Sequence, residues 1–269
     1  MNYHLIILAV VILAVIGALA ALLLSIASKV FAVPVDEKAE QIRECLPGAN
    51  CGSCGFSGCD GYAAALSSGE TKETTLCNPG GNETAKAISE ILGVEAGTVK
   101  PIAATVMCRG YKENAADKLI YDGYMSCRMA TQVFGGPKEC IYGCIGYGDC
   151  ISVCEENAIS ILNGVAHVEP SLCKACRKCV KTCPKGLIEM LPMDEIKAAV
   201  LCKNHDKGAI TRKECTAGCI GCMKCVKVCP SEAITIDNFC AKVDYEKCVG
   251  CGECNSVCPV SAINILKLC

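Results

Sequence analysis

Hydropathy divides the chain into two unequal parts. From Leu5 to Ala27 the run LIILAVVILAVIGALAALLLSIA holds neither charge nor proline. As a helix rising 1.5 Å per residue it reaches about 34 Å, enough to cross the hydrocarbon core of a bilayer. A core helix apolar on every face is improbable at this length. A secretory signal needs positive charge ahead of the apolar run, and MNYH has none. The segment therefore reads as a single-pass anchor whose partner is membrane lipid. Lys29 follows the span and, by the positive-inside rule, places the remaining chain on the cytoplasmic face of the cell's inner membrane. With no ionisable residue inside it, the helix offers no ion path.

Beyond the anchor the patterns are short. Pro34 and the charged stretch Asp36 to Glu44 read as a juxtamembrane linker. GCDGYAAAL predicts a short helix. ETAKAISEIL predicts a second, with Ala85, Ile88, Ile91 and Leu92 on one face, Asn82 as N-cap and Gly93 as the stop. After Pro101 the chain repeats itself. IAATVMC, ending at Cys108, and AAVLC, ending at Cys202, read as strands, and each leads into a double cysteine run. GCIGYGDCISVCEENAISI, from Gly143, aligns with GCIGCMKCVKVCPSEAITI, from Gly218. Cys140, Cys144, Cys150 and Cys154 then match Cys215, Cys219, Cys225 and Cys229. Tyr147 stands where the second copy has Cys222, and Glu155 where it has Pro230. The pairs Ala158-Ile159, Leu187-Ile188, Ala233-Ile234 and Ala262-Ile263 each mark entry into a short strand.

Cysteine decides the chemistry. There are 27 in 269 residues, an odd number in a chain that is not a short secreted domain, so a disulfide scaffold fits poorly. Three stretches, Cys173 to Pro184, Cys219 to Pro230 and Cys248 to Pro259, read Cys-x2-Cys-x2-Cys-x3-Cys-Pro. That is the bacterial ferredoxin run that holds [4Fe–4S] cubanes. Four-cysteine zinc sites also use Cys-x2-Cys pairs, but have no use for a third cysteine at the same spacing. Trp is absent and Phe numbers four, so inorganic clusters must supply cross-links that a sparse aromatic core does not. The net charge of −2 argues against nucleic acid as a partner.

In two-cluster ferredoxins the cysteine before proline ligates the other cluster. Applied here, Cys219, Cys222, Cys225 and Cys258 form one set, and Cys229, Cys248, Cys251 and Cys254 the next. In the earlier pair, Cys154, Cys173, Cys176 and Cys179 form one set. Cys144, Cys150 and Cys183 supply three ligands of the other. Its fourth is Cys140 or Cys127, with Cys140 taken first because it is nearer in sequence. Cys51, Cys54, Cys59 and Cys77, spaced Cys-x2-Cys-x4-Cys-x17-Cys, suit a self-contained cubane, with zinc as the alternative. Five [4Fe–4S] clusters follow. A sixth set, Cys108, Cys202 and Cys215 with Cys127, or with Cys140 if the roles exchange, is weighed against buried structural cysteines. Cys45, Cys240 and Cys269 belong to no evident set, and Cys240 reads as a packed apolar residue.

The expected fold is α+β. An anchor (1–30) leads to a small α-rich [4Fe–4S] domain (31–100) and two tandem 2[4Fe–4S] ferredoxin-like repeats (101–195 and 196–269). The sequence shows no dinucleotide fingerprint, P-loop or His-Glu-x-x-His, and so no active site for nicotinamide or flavin. His4, His167 and His205 are isolated. Lys174, Lys178, Lys181, Lys224 and Lys227 read as solvated surface, or more sharply as a docking face for an acidic protein.

The apolar anchor, the CGSCGFSGC…CNPGG domain and the succession of ferredoxin runs together resemble the B subunit of the Rnf complex, the ion-translocating ferredoxin:NAD oxidoreductase, in its long polyferredoxin form. The resemblance spans nearly the whole chain. It implies a subunit that takes electrons from reduced soluble ferredoxin and relays them to other membrane subunits of the complex. Tyr147, Glu155 and the extra Cys45 depart from the simple pattern. A polyferredoxin serving another membrane oxidoreductase and a zinc-ribbon adaptor are the rival readings.

Overall fold

A computed structural model describes residues 3–30, 36–193 and 195–266. Pro34 and Cys269 lie outside the described residues, as does the side chain of Lys29. The first element is one helix, α1 (Tyr3–Val30), of 28 residues. Its apolar side chains at Ile7 and Leu8 and from Val11 to Ile26 are exposed. Counted over the described residues alone, no helix is long and apolar enough to cross a membrane.

A small helical domain follows. The expected linker is instead a helix, α2 (Glu37–Cys45). The Asp36 carboxylate caps it, accepting from the amides of Lys38 (3.0 Å) and Ala39 (3.4 Å). Within the charged stretch a single apolar residue, Ile42, turns inward and is fully buried. It packs with Leu46 at the end of α2, with Tyr62 and Leu66 of α3 (Cys59–Ser68) and with Ile88 of α4 (Gly81–Leu92). One buried position in nine is too weak a periodicity to announce a helix, and the cap carries the information instead. Gly93 ends α4 in the left-handed conformation, φ 67°. Asn82 does not cap α4, whose N-cap is Gly80. Its Oδ1 accepts from the Val99 amide (2.7 Å), tying down the exit of the domain.

The rest of the chain is built twice. The first copy contains β1 (Ile102–Val106), α5 (Cys127–Thr131), α6 (Asp149–Ser152), β2 (Ile159–Leu162), β3 (Val165–Val168), α7 (Lys178–Thr182) and β4 (Ile188–Pro192). The second contains β5 (Lys197–Val200), α8 (Gly208–Glu214), α9 (Lys224–Val228), β6 (Ile234–Asp237), β7 (Cys240–Val243), α10 (Glu253–Ser256) and β8 (Ile263–Leu266). The outer strands close each copy by antiparallel pairing, β1 with β4 (Ala104↔Met190) and β5 with β8 (Ala199↔Asn264). The inner strands form hairpins, β2 with β3 and β6 with β7.

An isolated two-stranded sheet is marginal in water. These sheets bury their inward residues against cysteines. Val106, Ile159, Val165 and Leu187 pack with Cys108, Cys150 and Cys179. Val200, Ile234, Val243 and Ile263 pack with Cys219, Cys225, Cys248 and Cys254. Each cysteine loop folds tightly over its hairpin. A Cβ on Gly146 (φ +85°) would stand 2.5 Å from the Gly164 carbonyl oxygen, and one on Gly221 (φ +62°) 2.7 Å from that of Phe239.

Candidate metal centres

The described cysteines fall into six groups of four, with Cys45 and Cys240 left over. In the helical domain Cys51, Cys54, Cys59 and Cys77 line one cavity with Tyr62 and Pro79. The Asn50 side chain accepts from the Cys59 amide (2.9 Å) and fixes the start of α3. Burial raises the Cys77 pKa, and the facing thiols of Cys59, Cys51 and Cys54 add to it.

Cys154, Cys173, Cys176 and Cys179 surround the next cavity, which Cys51 also reaches. The two sites are joined where Ser53 Oγ donates to the Ala175 carbonyl (3.1 Å). Cys179 is pushed up to about 11, first by burial and then by Cys173 and Cys176.

Tyr147 removes one cysteine from the following loop, and the structure replaces it with Cys127. Cys127, Cys144, Cys150 and Cys183 line a common cavity. The thiol of Cys150 is pushed up to about 12 by burial, with Cys144, Cys127 and Cys183 facing it. Cys127 arrives from a separate segment, and Asp149 holds it there. The Asp149 carboxylate accepts from Ser126 Oγ (2.9 Å) and from the amides of Cys127 and Arg128 (3.0 Å each). The second copy has Lys224 at this position. Tyr147 itself packs against Tyr121, ring centroids 5.8 Å apart.

Cys140, taken above as the fourth ligand of that set, is placed elsewhere. It lines a cavity with Cys108, Cys202 and Cys215. This fourth group therefore contains Cys140 where the sequence reading put Cys127 first. The reason is the duplication: Cys108 and Cys202 end equivalent strands, and Cys140 and Cys215 precede equivalent runs. The group is thus two related pairs meeting between the copies. Burial pushes Cys140 up to about 11 and also raises Cys108 and Cys215.

In the second copy Cys225 is pushed up to about 11 by burial, facing Cys219, Cys222 and Cys258. Cys254 is raised by burial and faces Cys248, Cys251 and Cys229. Cys222 and Cys251 are exposed. Cys240 is buried in β7, as an apolar residue would be, but its thiol also donates to the Cys202 carbonyl (3.3 Å). Cys202 and Cys219 are both lowered, chiefly by the neighbouring Cys240 thiol. Cys45 lies in no group; its carbonyl accepts from Thr84 Oγ1 (3.2 Å).

Main-chain amides point at the sulfurs. Gly110 and Cys144 donate to Cys108 (3.3 and 3.4 Å), Asn204 and Cys219 to Cys202 (3.4 and 3.3 Å), Ala166 to Cys144 and Ala241 to Cys219 (3.4 Å each). Such donors stabilise thiolate charge. Among the described residues, no three His, Cys, Asp or Glu side chains gather closely enough for a single metal ion. In the first four groups the sulfurs ring cavities instead, whereas zinc–thiolate bonds of about 2.3 Å require them to converge. Four thiols around a space, with amides directed at several of the sulfurs, are the chemistry that suits iron–sulfur clusters.

Comparison with known proteins agrees. Residues 46–79 match the family model for a putative Fe-S cluster, 165–188 a 4Fe-4S binding domain and 218–262 a 4Fe-4S dicluster domain. Over 88% of its length the chain is 46% identical to the B subunit of the Na(+)-translocating ferredoxin:NAD(+) oxidoreductase complex of Acetobacterium woodii, covering 71% of that protein. It is 35% identical to the B subunit of the proton-translocating ferredoxin:NAD(+) oxidoreductase complex of Clostridium ljungdahlii, over 89% of the chain and 84% of the relative. It is 37% identical to the B subunit of the ion-translocating oxidoreductase complex of Methanosarcina acetivorans, over 88% and 90%. With thiol groups of the right kind in place and relatives matched over most of their length, the chain belongs to the B-subunit family of Rnf-type ion-translocating ferredoxin:NAD oxidoreductase complexes.

Proposed function

We propose that this chain is the membrane-anchored iron–sulfur relay of such a complex, receiving electrons from reduced soluble ferredoxin and delivering them to partner subunits. The observation that carries the reading is the unbroken succession of six four-thiol groups. The first touches the second through Ser53 and Ala175. The second and third are interlocked because Cys154 and Cys183 each leave their own run to complete the other group. The third meets the fourth where the Cys144 amide reaches the Cys108 sulfur, and the fourth meets the fifth where the Cys219 amide reaches the Cys202 sulfur. Cys229 and Cys258 interlock the last two as Cys154 and Cys183 do the earlier pair. When bound, a cubane takes up and releases one electron at a time. The chain's own residues hold six of them in succession.

The assignment of ligands is then Cys51, Cys54, Cys59 and Cys77; Cys154, Cys173, Cys176 and Cys179; Cys127, Cys144, Cys150 and Cys183; Cys108, Cys140, Cys202 and Cys215; Cys219, Cys222, Cys225 and Cys258; and Cys229, Cys248, Cys251 and Cys254. Anaerobic analysis should find ~24 iron and as much sulfide per chain, four per cubane. Cys215→Ala should lose the iron of one cubane and leave the signals of the outer five. Five cubanes in the parent chain, or none, would refute the reading.

Two further parts of the proposal rest on α1 and on the lysines. At 28 residues α1 spans about 42 Å, and its exposed apolar sides have the character of a lipid-facing anchor. Flotation of the chain with liposomes, lost on deletion of residues 1–30, tests this. Lys178 is already paired with Glu155 (2.5 Å), which leaves Lys174, Lys181, Lys224 and Lys227 exposed to steer an acidic ferredoxin.

A further inference from the structure

Among the described residues two lysines are buried in the repeats, and they differ in how their charge is met. Lys197 is 6% exposed, pairs with Glu195 (2.6 Å) and donates to the Cys248 carbonyl (2.7 Å). Lys138 is also 6% exposed, but its ammonium donates only to carbonyl oxygens, those of Gly110 (2.6 Å) and Gly164 (2.9 Å). Among the described residues no carboxylate lies within ion-pair distance of it. Burying an ammonium without a counter-charge is expensive, so opposite charge must be nearby.

The cysteines of the middle site would supply that charge as thiolates when they hold a cluster. Lys138 lines the cavity of Cys108, Cys140, Cys202 and Cys215. Gly110, whose carbonyl it grips, donates its amide to Cys108 Sγ (3.3 Å), and a Cβ on Gly110 would lie 4.0 Å from Cys215 Sγ. A cubane bound by four thiolates is negatively charged, and more so by one charge when reduced. A fixed cation beside it therefore stabilises the reduced form more than the oxidised one.

The duplication supplies an internal control. Lys138-Glu139-Cys140 and Lys213-Glu214-Cys215 occupy equivalent positions, yet Lys213 is exposed. At the turn of the first hairpin Gly164 presents its carbonyl to Lys138, where the second copy has Phe239. The two pairs of thiols are related, but the cation comes from one side only.

We propose that Lys138 sets the reduction potential of the cluster held by Cys108, Cys140, Cys202 and Cys215, raising it so that an electron crossing between the repeats is drawn to their junction. This rests on the six-cluster reading above. The step adds one electron, supplied by reduced ferredoxin through the outer clusters. No bond forms or breaks in the step.

The test is an anaerobic redox titration of the full chain followed by EPR, with iron counted in parallel. In Lys138→Met one component should fall by at least tenfold in its reduction equilibrium, which is 59 mV for a one-electron couple. Lys213→Met should leave all components in place. Full iron in Lys138→Met with every potential unmoved would overturn the proposal. If the Met variant loses the iron of one cubane, Lys138→Gln and Lys138→Arg decide. Iron kept by Arg but lost by Gln ties the charge to the cluster and supports the proposal; iron lost by both makes Lys138 a packing residue and overturns it. Five cubanes in the unmodified chain would instead remove the reading on which the proposal rests, before any variant is made.

Discussion

Asp149 holds a borrowed cysteine in place, and removing its carboxylate should release one cluster. Three donors converge on it: Ser126 Oγ at 2.9 Å and the amides of Cys127 and Arg128 at 3.0 Å. Hydrogen bonds to a charged acceptor contribute about 1.5–3 kcal/mol each. Asp149 is only partly buried, so solvent competes for it, and we take about 3 kcal/mol for the three together. That lowers the docked fraction of the segment carrying Cys127 by about two orders of magnitude, at 1.4 kcal/mol per factor of ten. Iron analysis and alkylation of Cys127 by iodoacetamide read the result. In Asp149→Ala the third site should lose iron, and Cys127 should become reactive under conditions that spare it in the parent chain. Lys224→Ala, at the equivalent place in the second copy, should do neither, because Cys222 belongs to its own loop. Tyr147→Cys should make Cys127 dispensable, so that Tyr147→Cys with Cys127→Ala keeps all its iron. An Asp149→Ala protein with full iron and a protected Cys127 would refute the argument.

Other outcomes follow from the same geometry. Gly250→Ala places a Cβ 2.0 Å from the Ile196 carbonyl oxygen at φ +69°; strain of this kind costs about 1–3 kcal/mol or more, and thermal denaturation should show the loss. Stripping the iron with a chelator should abolish far-UV circular dichroism from the repeats, because their two-stranded sheets pack chiefly on cysteines; a native spectrum without iron would contradict this. Raising the ionic strength from 0.01 to 0.15 M shortens the Debye length from about 30 to 8 Å. It should slow reduction by ferredoxin in stopped-flow, and salt-independent rates would reject the lysine docking face.

Local ligands were legible and distant ones were not. In Cys219 to Cys229 or Cys248 to Cys258 the spacing places three thiols on one loop, so a few residues carry the geometry. The short strands after each Ala-Ile or Leu-Ile pair were legible for the same reason. The charged stretch before Cys45 was not, because α2 shows one inward residue, Ile42, too weak a periodicity to read, and its packing against α3 and α4 lies far along the chain.

The sequence alone established the cubane-type runs, the duplication and the apolar first helix, since each depends on neighbours a few positions apart. Only the tertiary structure chose between Cys127 and Cys140, because that choice depends on where two copies of one unit meet. It also separated Lys138 from Lys213. Both stand in an identical Lys-Glu-Cys triplet, and only the hairpin beyond, with Gly164 in one copy and Phe239 in the other, leads one ammonium into the interior and leaves the other in water.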